Sequence, residues 1–180
     1  DSPTGFSMAG SVPSLKNIYV IGGAEHTTGT VVNTNRIYDR ATNTWSAGAA
    51  MPGLRAFSAH GYSGGKIYIV GGYSTGNVSP AFGQVWEYDP IANTWNTTRL
   101  DMPATLGGAG SGVINGHIIV AGGRTDLNVV VNTVYDYNIA ANTWATRNPM
   151  PAVDNVPASA VIGGRLWIMG GGNPFNGLSA

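Results

Sequence analysis

Three histidines, seven aspartates and two glutamates are the side chains of this 180-residue chain that could move protons or bind a metal. His26 follows a Gly-Gly pair, His60 sits in a run of small residues, and His117 follows an Asn-Gly turn. Metal ligands must converge on one point, and three unlike local settings give these residues no common face. The carboxylates are equally dispersed, with no two spaced as a general acid and base. Glu87 stands beside Trp86 in a β-rich run, where an arginine could pair with it. Asp39, Asp89 and Asp136 recur in one sequence context, which assigns them to turns. The chain has no cysteine, so thiolate metal sites, cysteine nucleophiles and disulfides are excluded. The glycine-rich GGAGSG, residues 107–112, invites a phosphate-loop reading. It lacks the G-x-G-x-x-G spacing and leads into a β-type run instead of a helix. These residue types supply no catalytic set, and neither a metal nor a cofactor is expected.

Charge narrows the partners. Nine basic and nine acidic residues cancel, and charged residues make up 10% of the chain against an ordinary share of about 25%. Nucleic acid and anionic membranes both demand a basic excess, so neither is an expected partner. No apolar run approaches the ~18 residues of a spanning helix, so no membrane insertion is expected. No signal peptide is visible and the chain begins with Asp1, which suggests a processed chain or a fragment. Low charge and Asn/Thr-rich loops suit an extracellular or cell-surface protein of bacterial type, while leaving the cytoplasm open. Glycine is abundant, but it lies beside Val, Ile, Tyr and Trp runs, so the chain is not of low complexity.

What organises the chain is repetition. YDRATNTW (38–45), YDPIANTW (88–95) and YNIAANTW (137–144) place Trp45, Trp95 and Trp144 at intervals of fifty and forty-nine residues. Ahead of each stands a short β-branched run closed by two glycines: IYVIGG, IYIVGG and IIVAGG. A fourth, LWIMGG, stands near the end of the chain. The pairs are Gly22 and Gly23, Gly71 and Gly72, Gly122 and Gly123, and Gly170 and Gly171. These runs read as buried strands ended where the backbone needs positive φ or a close neighbour. NRIYD, QVWEYD and TVYDYN read as a third strand. Asp39 is placed to cap the following turn, and Asn43 to take its left-handed position. Trp45 then opens a fourth strand that ends near Met51-Pro52. A Gly/Ala/Ser-rich strand precedes each Gly-Gly strand, suited to an axis where units crowd together. Each unit is therefore a four-stranded antiparallel meander.

A period near fifty with these anchors resembles the kelch repeat. The resemblance covers nearly the whole chain through Tyr38, Asp39, Tyr88, Asp89, Tyr137, the three tryptophans and the four glycine pairs. It departs at Asn138, which replaces Asp, and at Ala121, where other units carry a bulkier residue. It implies an all-β fold of kelch-type β-propeller blades. Their approximate spans are 4–52, 53–103 and 104–151, with a half-blade at 152–180. Fourteen strands make about half a ring, so the expected molecule is an incomplete propeller. Pairing two copies gives the strand number of seven blades but builds no proper blade at either junction. Further blades of the same parent chain, or another copy, are therefore expected partners.

In kelch relatives one face is built from the loops after Gly-Gly and the connections between blades. The matching residues are Glu25, His26, Tyr73, Arg124, Asp126 and Asn173 in the first group. Arg55, Asp154 and Asn155 form the second, and Arg55 resembles an arginine that can face the central pocket. The resemblance implies a non-enzymatic recognition module binding protein or glycan on this face. Two alternatives remain: part of a kelch-propeller enzyme, galactose-oxidase-like or sialic-acid-epimerase-like, with its active site completed by other blades, or a structural unit of an extracellular protein. A galactose-oxidase-like site needs a Tyr-Cys crosslink, which this stretch cannot supply.

Overall fold

The computed structural model describes residues 6–7, 10–13, 16–75 and 79–172, with backbone alone at 6–7 and 10–13. Its first unit holds β1 (Phe6–Ser7), β2 (Gly10–Pro13), β3 (Asn17–Ile21), β4 (Ala24–Glu25), β5 (Asn35–Asp39) and β6 (Thr44–Gly48). The second holds β7 (Ala59–Ser63), β8 (Lys66–Val70), β9 (Val85–Asp89) and β10 (Thr94–Asn96). The third holds β11 (Gly110–Ile114), β12 (His117–Ala121), β13 (Val134–Asn138) and β14 (Thr143–Arg147). Two strands, β15 (Ala158–Ile162) and β16 (Arg165–Met169), close the described part. The sheets are antiparallel meanders in the orders β2-β3-β5-β6, β7-β8-β9-β10, β11-β12-β13-β14 and β15-β16. The expected all-β architecture is the observed one, and β1 and β4 add a small rung beside the first unit.

The inner strands β2, β7, β11 and β15 lie side by side. Their small residues are required there. A Cβ on Gly61 would stand 2.4 Å from Val113 Cγ2, and one on Gly112 would stand 2.4 Å from Val161 Cγ2. Serine staples neighbouring inner strands. Ser111 Oγ accepts the His60 N–H at 3.0 Å and donates to the His60 carbonyl at 3.1 Å. Ser159 Oγ brackets Ser111 in the same way, at 3.1 and 2.9 Å.

Further out, apolar side chains of consecutive units fill each seam. Ile21, Met51, Ile67 and Tyr88 meet between the first and second units. Val70, Met102, Ile118 and Tyr137 meet between the second and third. The core is thus divided among seams, and each unit is stable only against its neighbour.

The Tyr-Asp…Asn-Thr-Trp segment builds both a turn and a seam. Asp39 Oδ1 accepts the N–H groups of Ala41 and Thr42, and Asp89 does the same for Ile91 and Ala92. Asn138 accepts from Ala141 and so takes over the cap in the third unit. Asn43, Asn93 and Asn142 all adopt positive φ, where a short polar side chain bears the least strain. Asp136, expected in this turn, is instead inside β13 and buried. Asn138 holds the same place in the repeat as Asp39 and Asp89, whereas Asp136 is the counterpart of Glu87.

The same asparagines reach across the seam. Ala49 donates its N–H to Asn93 Oδ1 at 2.7 Å and accepts from Trp95 Nε1 at 2.9 Å. Leu100 is held identically by Asn142 and Trp144, both at 2.9 Å. One asparagine and one tryptophan therefore fork a single backbone residue of the preceding unit. Asn43 and Trp45 form the same fork on the first unit, and among the described residues nothing occupies it. An open cleft of about 240 Å³, lined by Arg36, Trp45, Ser46 and Ala47, marks that place.

Trp95→Phe keeps the ring stacked on Tyr88 but deletes the bond to Ala49. It should cost about 1 kcal/mol in chemical denaturation. Trp45→Phe, with no carbonyl to lose, should cost measurably less.

Candidate functional site

The end of the sheets where strands two and four exit carries the longest and most varied loops. Their bases are fixed by one repeated clasp. Gly23, Gly72 and Gly123 donate backbone N–H groups to the carbonyls of Arg55, Leu106 and Asp154 at 2.8, 2.8 and 2.7 Å. The preceding glycines pass so close that a Cβ on Gly22, Gly71 or Gly122 would stand 2.3, 2.5 or 2.6 Å from those same oxygens. Backbone pairs Ala56–Tyr73 and Gly107–Arg124 then tie each loop to the connection entering its own unit.

The structure sorts the nine rim candidates into surface and support. His26 is exposed in the turn after β4, and Glu25 beside it accepts a hydrogen bond from Thr28 Oγ1. Arg124 and Asp154 are half-buried at the rim. Asp126 is exposed yet tied, accepting the Ala81 N–H and the Thr105 hydroxyl. It therefore fixes the third unit's loop to the second unit. Tyr73 is buried, and its hydroxyl lies 3.0 Å from the Gly107 carbonyl and 2.8 Å from that of Arg124. Burial pushes its phenol pKa up, so it serves as a neutral brace beneath the loops. Asn155 is also buried, packed against Gly108. Asn173 lies outside the described residues.

Arg55 departs furthest from expectation. Its side chain is buried against residues of the second unit. The guanidinium carbon sits 3.6 Å from the Phe82 ring centre and 4.2 Å from that of Trp86. Nη2 donates to Gln84 Oε1 at 2.8 Å and Nη1 to the Leu54 carbonyl at 2.7 Å. Burial lowers its pKa to about 10, so it stays charged at neutral pH. The charge is stabilised by the faces of these two rings.

Two residues absent from the expected rim stand out on it. Leu127 is 85% exposed and Val129 52% exposed, on the loop that Arg124 and Asp126 begin. Leu54, on the connection between the first two units, is also exposed. The signal was present in RTDLNVV as apolar residues inside a segment that reads as polar loop.

Comparison with known proteins agrees with this architecture. A family model described as the KLHDC2/KLHL20/DRC7 Kelch-repeats domain matches residues 3–176. The chain belongs to the kelch-repeat family. It is 32% identical over 165 residues to Kelch-like protein terF of Aspergillus terreus, covering 86% of this chain and 36% of that protein. It is 30% identical over 173 residues to Kelch-like protein 25 of Xenopus tropicalis, covering 91% and 28%. The kelch chain here thus spans about a third of the curated relatives it matches. The solved structure titled "Structure of YjhT" superposes with a TM-score of 0.83 at 16% identity, over 98% of this chain and 65% of that one. That likeness concerns the fold alone.

The remaining chemical groups serve the blades. Glu87 pairs with Arg99, whose Nη1 also reaches the Ile139 carbonyl of the next blade at 3.0 Å. Among the described residues, no three His, Asp or Glu side chains gather to hold a metal. His117 does meet a carboxylate: its Nδ1 lies 2.6 Å from Asp136 Oδ1, while Arg147 donates to Oδ2 from Nε at 2.8 Å and Nη2 at 2.6 Å. No nucleophile joins this group, which braces the outer half of the third blade.

Burial alone would raise the Asp136 pKa, but the His117 and Arg147 bonds outweigh it and hold the carboxyl below 3.8. A depressed carboxyl stabilises the fold above its unfolded pKa, and that contribution is lost as pH falls through the lowered value. Asp136→Asn should therefore cost about 1–2 kcal/mol at neutral pH. The melting-temperature gap from wild type should close as the pH drops below about 3.8.

Proposed function

We propose that this chain is a recognition module that binds a protein partner through the loop face of its kelch blades. One observation carries the reading: Leu127 and Val129 project from a loop whose base is bonded across two blades. An apolar tip held on a rigid base spends little entropy on binding. Arg124 and Asp126 beside it give the polar surround that a protein interface needs. The loops vary from blade to blade while the clasp beneath them repeats, so partner selection is concentrated where packing does not constrain the residue type.

The described residues offer a glycan no exposed aromatic platform on this rim, since Tyr73 is buried. The apolar tip therefore favours a protein over a sugar. The three histidines stay apart, as their positions in a turn, an inner strand and an outer brace require. That separation favours binding over catalysis for this stretch.

Parallel screens of wild type and the Leu127→Asp/Val129→Asp double variant against protein and glycan arrays test the reading. Protein ligands should lose more than about tenfold in affinity through the double variant, because both anchors are removed. Its melting temperature should stay within about 2 °C of wild type, because both side chains are solvent-facing. Ligands only on the glycan array, or protein ligands indifferent to the tip, would overturn it.

A further inference from the structure

The second unit departs from the repeat just after its tryptophan. Trp95 and Met102 are separated by one residue more than Trp45 and Met51 or Trp144 and Met150. The fourth strands β6 and β14 run for five residues, whereas β10 stops after three, at Asn96. In β6 and β14 the third residue after the tryptophan, Gly48 or Arg147, still pairs with the neighbouring strand, opposite Asn35 or Val134. Thr98 holds that position in the second unit, and its N–H instead donates to Asn96 Oδ1 at 2.9 Å. The Thr98 hydroxyl donates to the same oxygen at 2.9 Å. A short polar side chain has taken the place of the ladder at this strand end.

Blade packing does not call for this departure. The seam devices on either side, Trp95 Nε1 on the Ala49 carbonyl and Asn142 on the Leu100 N–H, use neither Asn96 nor Thr98. The counterparts of Asn96 in the other two complete units are Ser46 and Ala145. Asn96, Thr97 and Thr98 are all exposed. Oδ1 of Asn96 accepts both bonds, and among the described residues no bond holds its Nδ2.

Asn96-Thr97-Thr98 is also an Asn-x-Thr triplet without proline in the middle, the acceptor pattern of N-linked glycosylation. We propose that Asn96 is an N-glycan attachment site, filled when the chain enters a secretory pathway that supplies a lipid-diphosphate-linked oligosaccharide. Transfer forms a bond from sugar C1 to Nδ2 and breaks the bond from C1 to the diphosphate oxygen. Nδ2 gives up one proton to a base of the transferase, and the lipid diphosphate leaves with the bonding electron pair. The carboxamide oxygen is untouched, so both bonds from Thr98 survive the modification. β10 is the outer edge of its blade, with one side of its ladder unpaired among the described residues. With only 10% charged residues, the chain has little charge to keep such edges apart, and a hydrated glycan covers this one.

The intact 180-residue chain, secreted from a eukaryotic cell behind a cleavable leader, tests the proposal. It carries Asn77→Gln, because Asn77-Val78-Ser79 is a second triplet and Asn77 lies outside the described residues. Intact mass, and peptide mapping after enzymatic glycan release in heavy-oxygen water, read the site. Chain retained inside the cell is read in the same way, so poor export does not hide the outcome. Asn96 should be modified in most molecules, Thr98→Ala should abolish the modification, and Thr98→Ser should retain it. The glycosylated protein should melt within about 2 °C of the same chain made without glycan in a bacterial cytoplasm, because the sugar displaces no bond. An unmodified Asn96 would overturn the proposal. So would modification that survives Thr98→Ala, or a glycosylated form that melts well below the bare chain.

Discussion

A carbonyl oxygen that lies closer to a glycine than any side chain would permit is the contact on which this structure depends. The oxygens belong to Arg55, Leu106 and Asp154, and each faces the Gly-Gly pair of the preceding blade. The approach satisfies a buried N–H at a strand end and locks one blade to the connection entering the next. It demands glycine twice over, because φ is positive as well as the space being absent. Gly170 supplies the contrast: it keeps positive φ but has nothing within 4 Å of a Cβ. Its conformation persists at the end of the arc, where no further connection is described.

Once that clasp is set, the other seams follow at matching heights. Serines bracket inner strands, methionines and tyrosines fill the middle, and the asparagine–tryptophan fork closes the outside. Several of these devices bind backbone groups, so the residue held can vary, as Ala49 and Leu100 do. The structure can thus repeat rigidly while its loops diverge. The load is local, as in other repeat proteins, with each blade stabilised by its neighbours.

Much of the frame was legible in the residues. Asp39, Asn43 and Trp45 declared a turn through chemistry that acts within a few residues, and the recurring tryptophans declared the period. The rim was less legible. Arg55 and Tyr73 occupy loop positions, and polar or aromatic loop residues read as surface. Their burial depends on Phe82, Trp86 and Gly107, which the chain brings from distant positions. Asp136 was misassigned because it precedes Tyr137, whereas the cap follows the tyrosine; its partners His117 and Arg147 lie on adjacent strands. Leu127 and Val129 were overlooked because an apolar residue in a loop gains meaning only once its exposure is known.

By itself, then, the order of residues determined the all-β meander, the fifty-residue period and the turns, since these arise from local propensity and side chains a few positions apart. It also excluded cysteine chemistry and showed no basic excess of the kind a polyanionic partner demands. Only the tertiary structure decided which glycines abut a carbonyl, and which loop residues brace and which protrude. Those facts belong to distances between residues about fifty positions apart, set by packing of one blade on the next.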